Sequence, residues 1–188
     1  MTLTDQIKAF RPQNEQERRD QEELLAWLAS GLDIYSRSCN AAHLTASAWV
    51  VSPDREKVLM VYHNLYHSWS WLGGHADGMT DLHAVARKEV MEESGLTELK
   101  ALSNDIFSLE VLTVDGHEKR GRYVSSHLHL NVTYLFEADL AAQVSVKPDE
   151  NSGVAWFTTR EVPLKTSEPW FRDRIYSKLM DKVRRIYG

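Results

Sequence analysis

The chain has 188 residues, 43% of them hydrophobic and 26% charged, with a formal charge of −5 at pH 7. That balance suits a globular domain with a sizeable core and argues against a polymeric nucleic-acid partner, which calls for a basic face. Cys39 is the single cysteine, so no internal disulfide framework is possible, and no apolar run approaches the roughly 20 residues of a membrane helix. The first residues, Met1-Thr2-Leu3-Thr4-Asp5-Gln6, lack the basic-then-apolar pattern of a secretory leader, so the expected location is the cytoplasm.

Residues 1 to about 38 are expected to be helical. Pro12 separates a short leading helix from a second one, which Asn14 caps with Glu15 and Glu17 in its first turn. Leu24, Leu25, Trp27 and Leu28 give that helix a face to dock on the rest of the domain or on a second subunit of a homodimer. From His43 the pattern changes to strands. Leu44 to Val51 and Lys57 to Tyr62, around Ser52-Pro53-Asp54-Arg55, predict a hairpin. A loop from His63 then leads to Trp69 and Trp71; packing is their first expected role, and stacking on a base the second.

The stretch from Gly73 to Leu96 predicts a glycine-rich loop and a helix of about three or four turns, closed by Gly95. At about 100° per residue, with Leu82 as zero, Ala86 falls near +40°, Val90 near +80° and Val85 near −60°. Glu89 falls near −20°, Glu93 near +20° and Glu92 near −80°. Two of the three carboxylates therefore sit inside the apolar stripe, and the apolar residues have no better face to use. Burying like charges together is costly unless a cation is supplied, and hard Mg²⁺ or Mn²⁺ suits oxygen ligands. The bare loop before the helix offers backbone donors to a phosphate. The residues alone predict a metal site facing a phosphate-bearing ligand.

Leu99 to Val114 predicts a strand with a bulge near Asn104-Asp105. A charged turn follows, in which Lys119, Arg120 and Arg122 either meet an outer phosphate or a ribose, or sit on a solvated tip. His127 to Phe136 alternates, with Leu128, Leu130, Val132, Tyr134 and Phe136 on one face and His127, His129, Asn131 and Thr133 on the other. That polar face either lines the ligand cleft or is exposed. His127 and His129 are spaced to chelate a metal, but no third ligand stands at a telling spacing. Lys147 to Gly153 is a loop, Val154 to Phe157 a short strand, and Phe171 to Tyr187 an amphipathic helix packing through Ile175, Leu179, Val183 and Ile186.

Gly74, Thr80, Lys88-Glu89-Val90, Glu92-Glu93 and Gly95-Leu96 match in spacing the 23-residue Nudix box, G-x5-E-x7-R-E-U-x-E-E-x-G-U, where U is bulky and aliphatic. The chain thus resembles the Nudix hydrolases, departing at Thr80, where the family has Glu, and at Lys88, where it has Arg. The resemblance implies an α/β/α sandwich around a mixed sheet, spanning residues 41–188 after an N-terminal helical extension over 1–40. It implies metal-dependent hydrolysis of a nucleoside diphosphate linked to another moiety, a small-molecule substrate with no membrane involved. Carried across, Glu89 and Glu93 are the ligands of Mg²⁺ or Mn²⁺, helped by the main-chain carbonyl of Gly73. Glu92 is a further ligand, directly or through water, or assists the water nucleophile. Lys88 takes the place of the arginine that holds the glutamates, without its planar fork. Thr80 is a serviceable helix cap, with Asp81 in the first turn.

The expected substrate-binding set is Gly74, His75, Trp71, His127, His129 and Arg122. His75 is placed to touch substrate or metal-bound water, or else is a satisfied loop histidine. In the family the loop that corresponds to 147–153 sometimes supplies a further carboxylate, here Asp149 or Glu150. Two alternatives keep the fold and change the chemistry: a domain that binds a nucleotide without cutting it, and a prenyl-diphosphate isomerase. The isomerase would want a catalytic cysteine in the core, and Cys39 precedes the first core strand.

Overall fold

The structure, a computed structural model, describes residues 1–119 and 121–188. Arg120 and the side chain of Lys119, two of the three cations expected either to meet a phosphate or ribose or to sit on a solvated tip, lie outside the described residues.

Strand β1 (Ala42–Val51) is buried along its whole length, and the sheet is assembled around it. One edge of β1 pairs in parallel with β9 (His127–Glu137) over ten residues, from Ala42↔Leu128 to Val51↔Glu137. The other edge begins as the expected hairpin with β2 (Lys57–His63), but only Val51↔Val58 is in register. Beyond that point β4 (Leu72–His75) takes over the edge, with Ser47 opposite Gly73 and Thr45 opposite His75. A strand buried on both faces needs neighbours along its full length, and β4 fills the gap that the diverging β2 leaves. β2 meanwhile pairs with β3 (Ser68–Ser70) and β10 (Asn151–Thr158).

The expected strand after the glycine-rich helix runs along the far edge of β9 in two pieces. They are β5 (Lys100–Ala101) and β6 (Ser108–Val114). The break lies at the turn where the Asp105 N–H donates to the Ser103 hydroxyl, which is where the bulge was expected. A two-stranded ribbon, β7 (His117–Lys119) and β8 (Arg122–Val124), projects from the end of β6.

Helices cover both faces of this mixed sheet. α3 (Leu82–Ser94) packs Leu82, Val85, Ala86 and Val90 with Leu44, Ala46 and Ala48 of β1. The opposite face carries Trp49, Met60 and Leu135 under the C-terminal segment. That segment is π-helical over Phe171–Tyr176 and continues as α5 (Ser177–Tyr187), after the short α4 (Val162–Lys165). Ile175, Leu179 and Val183 are buried there as the helical spacing requires, whereas Ile186, next to the last residue of the helix, is exposed.

The N-terminal helices form as expected. α1 (Leu3–Ala9) precedes Pro12, and the Asn14 side chain caps α2 (Glu15–Ala29) by accepting from the Glu17 N–H at 2.9 Å. Leu3, Ile7, Phe10 and Leu24 join the same core as α3; each such buried side chain is worth about 1.5–3 kcal/mol. Among the described residues, no helix is long and apolar enough to cross a membrane.

On β9 the structure corrects the expectation for the polar face. Asn131 and Thr133 neither line a cleft nor meet solvent; both are buried and bonded to the Glu110 carboxylate of β6, at 2.9 and 2.8 Å. α5 brings Lys178 and Lys182 over that face, with Glu17 of α2 beside them, which is what lets a carboxylate and its donors stay inside.

Candidate functional site

α3 starts one residue later than expected. Asp81, not Thr80, is the cap, its carboxylate accepting from the Ala84 N–H at 3.0 Å. An aspartate there both satisfies an open N–H and puts negative charge on the positive end of the helix dipole. At the other end Gly95 takes the left-handed conformation, with φ of 72°.

Between these ends, the inner face of α3 buries Glu89 and Glu93 among its apolar residues, at 9% and 4% exposure. β4 makes room for them. The Glu93 carboxylate accepts from the Gly73 N–H at 3.0 Å; it is this N–H of Gly73 that meets the helix. A Cβ on Gly74 would lie 2.5 Å from the Glu89 carboxyl carbon, so any other residue there pushes that carboxylate out of this place. Burial pushes Glu93 up to about 8, helped by the charges of Glu89 and Glu150 against the Gly73 N–H and Lys147. Burial also raises Glu89, against the pull of Lys88. Two adjacent carboxyls, both resisting ionisation because they are buried, form an oxygen-donor pair to which a hard divalent cation fits.

Glu92 is placed differently, on the exposed flank that its wheel position predicts. Lys88 lies 3.2 Å from Glu92 and 3.3 Å from Glu89, and Lys147 lies 3.4 Å from Glu92 and 3.0 Å from Glu150. These two ammonium groups outweigh slight burial and hold the Glu92 carboxyl below the usual range. Lys88 thus does reach two glutamates, as the family's arginine position requires, through single-point contacts rather than a fork. Lys147 is a site residue that its loop-like surroundings in the sequence did not reveal. Asn151 is another: its amide donates to the Glu93 carbonyl at 2.9 Å and its oxygen accepts from the Lys147 N–H, tying the 147–151 loop to the end of α3.

The remaining candidates divide by position. Trp71 is buried, packed edge-on to Phe171 and Tyr176, with its main-chain N–H donating to the Tyr176 hydroxyl at 3.1 Å. That leaves it little ring to offer a base. Arg122 is exposed on β8 and forms no salt bridge among the described residues. His75 follows Gly74 on β4, so it points to the opposite face from Glu89. There it meets His129, with ring centroids 4.9 Å apart, and His127 lies beside His129. Gly74 and His75 therefore share a strand but not a face. Asp149 has no ion pair among the described residues, whereas Glu150 stands opposite Glu92 across Lys147.

Residues 41–179 match the family model of the NUDIX domain. No curated protein sequence matches the chain. Among solved structures, a NUDIX-family hydrolase from Clostridium perfringens superposes with a TM-score of 0.54 at 16% identity, covering 77% of this chain and 97% of that one. An Ap4A hydrolase from C. elegans gives 0.54 at 18% identity, covering 76% and 96%. A MutT protein from Methanosarcina mazei Go1 gives 0.51 at 18% identity, covering 79% and 97%. At these identities the superpositions speak for the fold, and the family match, which takes in the carboxylate helix and the glycine pair beneath it, speaks for descent. The chain belongs to the NUDIX family.

Proposed function

We propose that the chain cleaves a nucleoside diphosphate linked to another moiety, by attack of water on phosphorus, with Mg²⁺ or Mn²⁺ held by Glu89 and Glu93. The observation that carries this reading is the pair of buried carboxylates on the inner stripe of α3, opposite a strand stripped of side chains at Gly73 and Gly74. When bound, such a cation neutralises diphosphate charge and activates water. The chain's own contribution is placement. The Gly73 N–H fixes one oxygen of Glu93, Lys88 holds Glu89 from the side, and Lys147 adds a cation at the rim.

The test is a panel of nucleoside triphosphates, nucleotide sugars, dinucleoside polyphosphates and dinucleotide cofactors, with phosphate or nucleotide release followed in Mg²⁺ and in Mn²⁺. At least one member should turn over, and chelation should stop it. One observation favours the non-hydrolytic sensor as a second reading: Glu92 is committed to Lys88 and Lys147 rather than turned toward Glu89 and Glu93. Tight nucleotide binding with no turnover in either metal would favour it. On whichever substrate is cleaved, Gly74→Ala is expected to lower kcat/KM by about 100-fold, because its methyl group displaces Glu89 from the site. Unchanged kinetics in this variant would show that Glu89 need not occupy the place seen here.

A further inference from the structure

The face of β4 turned away from Glu89 meets a group of imidazoles that the hydrolytic site does not use. Parallel register sets His43 of β1 beside His129 of β9. Antiparallel register sets His75 of β4 opposite Thr45, two residues along β1 from His43 and so on the same face. Three strands thereby deliver three histidines to one point. One ring nitrogen from each of His43, His75 and His129 lies within 4.8 Å of the others. His127 adds a fourth ring, 4.8 Å from that of His43 between centroids, and its Nε2 lies 3.3 Å from the Nε2 of His129.

The rings are oriented from behind by the backbone. His43 Nδ1 is 3.3 Å from the Cys39 carbonyl, and His127 Nδ1 is 2.8 Å from that of Ser125. A carbonyl only accepts, so each Nδ1 carries the proton and each Nε2 keeps its lone pair. Metal-ligating imidazoles are held in this way, the second nitrogen donating to a carbonyl. His43 is 5% exposed, and its Nε2 has no hydrogen-bond partner among the described residues. Burial, then the neighbouring imidazoles, push His129 down to about 2, which keeps it in the neutral form that binds metals.

We propose that His43, His75 and His129, with His127 as a fourth donor, form a binding site for a borderline transition-metal ion of the Zn²⁺ type, separate from the carboxylate site. An all-imidazole set selects Zn²⁺, Co²⁺, Ni²⁺ or Cu²⁺ over Mg²⁺ and Mn²⁺. Tetrahedral Zn²⁺ with bonds of about 2.0–2.1 Å needs donor nitrogens about 3.3–3.4 Å apart. The His127–His129 separation already meets that requirement, and modest side-chain rotation brings in the other two. An ion here fastens β4 to β9 across β1, directly behind Gly73 and Gly74. The site stands or falls independently of the hydrolase reading.

The experiment uses the full chain without a histidine tag, stripped with chelator and titrated with Co²⁺ and then Zn²⁺. One Co²⁺ per chain should bind with visible d–d absorption, be displaced by Zn²⁺, and resist excess Mg²⁺. Zn²⁺ at about 100 times its Kd should raise the melting temperature by about 5–10 °C. Glu93→Gln should retain all of this. The double variant His43→Gln with His129→Gln should lose it while keeping its metal-free circular dichroism. Where that variant does not fold, the less buried His75→Gln is read in its place, with at least a tenfold loss of Co²⁺ affinity expected. Absence of binding tighter than about 10 μM, or equal binding by the histidine variants, overturns the proposal.

Discussion

Glu93→Gln is expected to abolish metal-dependent hydrolysis and, at the same time, to stabilise the metal-free protein above neutral pH. The carboxyl is 4% exposed and is held up to about 8 in the folded chain, against an ordinary value of 4.5. A group whose folded value is raised contributes stability that is complete below its unfolded value and is lost as pH rises through the folded one. Between about pH 4.5 and 8 the metal-free protein therefore gives up stability on the order of a few kcal/mol through this one proton. Glutamine keeps the oxygen that accepts from Gly73 and carries no charge to bury, so its melting temperature should fall distinctly less than that of the wild type across that window, the raised Glu89 carboxyl keeping part of the slope. The groups that share the field are Glu89 and Glu150, which resist ionisation of Glu93, and Lys147, which assists it. All three remain in the variant. Thermal melts in chelator at pH 5 and pH 8 measure the first effect, and turnover in Mg²⁺ measures the second, a loss of about 10³-fold or more. A variant that keeps a tenth of the wild-type rate would remove Glu93 from the metal site. One that melts with the same pH slope as the wild type would show that the carboxyl ionises freely where it is.

The carboxylate helix was legible in the sequence because it breaks a rule. Glu89 and Glu93 occupy angles on the wheel that a core helix fills with apolar residues, and the structure buries both there. The exact start was not legible, since Thr80 and Asp81 are both good caps and only packing decides between them. The pairing of Glu92 with Lys147 joins residues 55 apart in the chain, through a loop whose path no periodicity encodes. The histidines show the same limit more sharply. His127 and His129 suggested chelation by their spacing, yet the third and fourth members come from β1 and β4. Only strand register brings His43 and His75 to them. The hairpin that seemed to pair β1 with β2 hid that register, because nothing local announces that β4 will insert between them.

The largest effect on stability is expected from Glu110→Ala, and its reason lies in what the chain places on the other face of the sheet. Glu17 of α2 and Glu110 of β6 are fully buried, as nearly are Lys178 and Lys182 of α5. Lys178 lies 2.9 Å from Glu110 and 2.8 Å from the Gln16 amide oxygen, while Lys182 pairs with Glu17 and donates to the Phe107 carbonyl at 2.7 Å. The second oxygen of Glu110 accepts from Asn131 and Thr133, and the Ser108 hydroxyl lies within reach of both glutamates. Two acids and two bases, nearly every polar atom bonded, hold the first long helix and the last one to the same pair of strands. Burial alone would raise the Glu110 carboxyl, but Lys178 and the hydroxyl and amide donors outweigh it and hold it below the ordinary range.

Truncating Glu110 leaves the Lys178 ammonium with Gln16, the Leu109 carbonyl at 3.5 Å and a Glu17 oxygen 3.6 Å away, and strips Asn131 and Thr133 of their shared acceptor. Breaking such a network costs about 3–5 kcal/mol, which in a chain of this size lowers the melting temperature by about 10 °C or more. Because the folded value of Glu110 is depressed, its contribution is present above the unfolded pKa and is lost as pH falls through the folded one. The penalty of the variant should therefore shrink in acid. The double change Glu110→Leu with Lys178→Met removes both charges together and should recover most of the loss, since an apolar pair of similar volume avoids the desolvation that the ions suffer. A Glu110→Ala protein within about 1 kcal/mol of the wild type at pH 7 would mean that water enters this face freely. The ion pairs would then be decoration on a packing that holds without them.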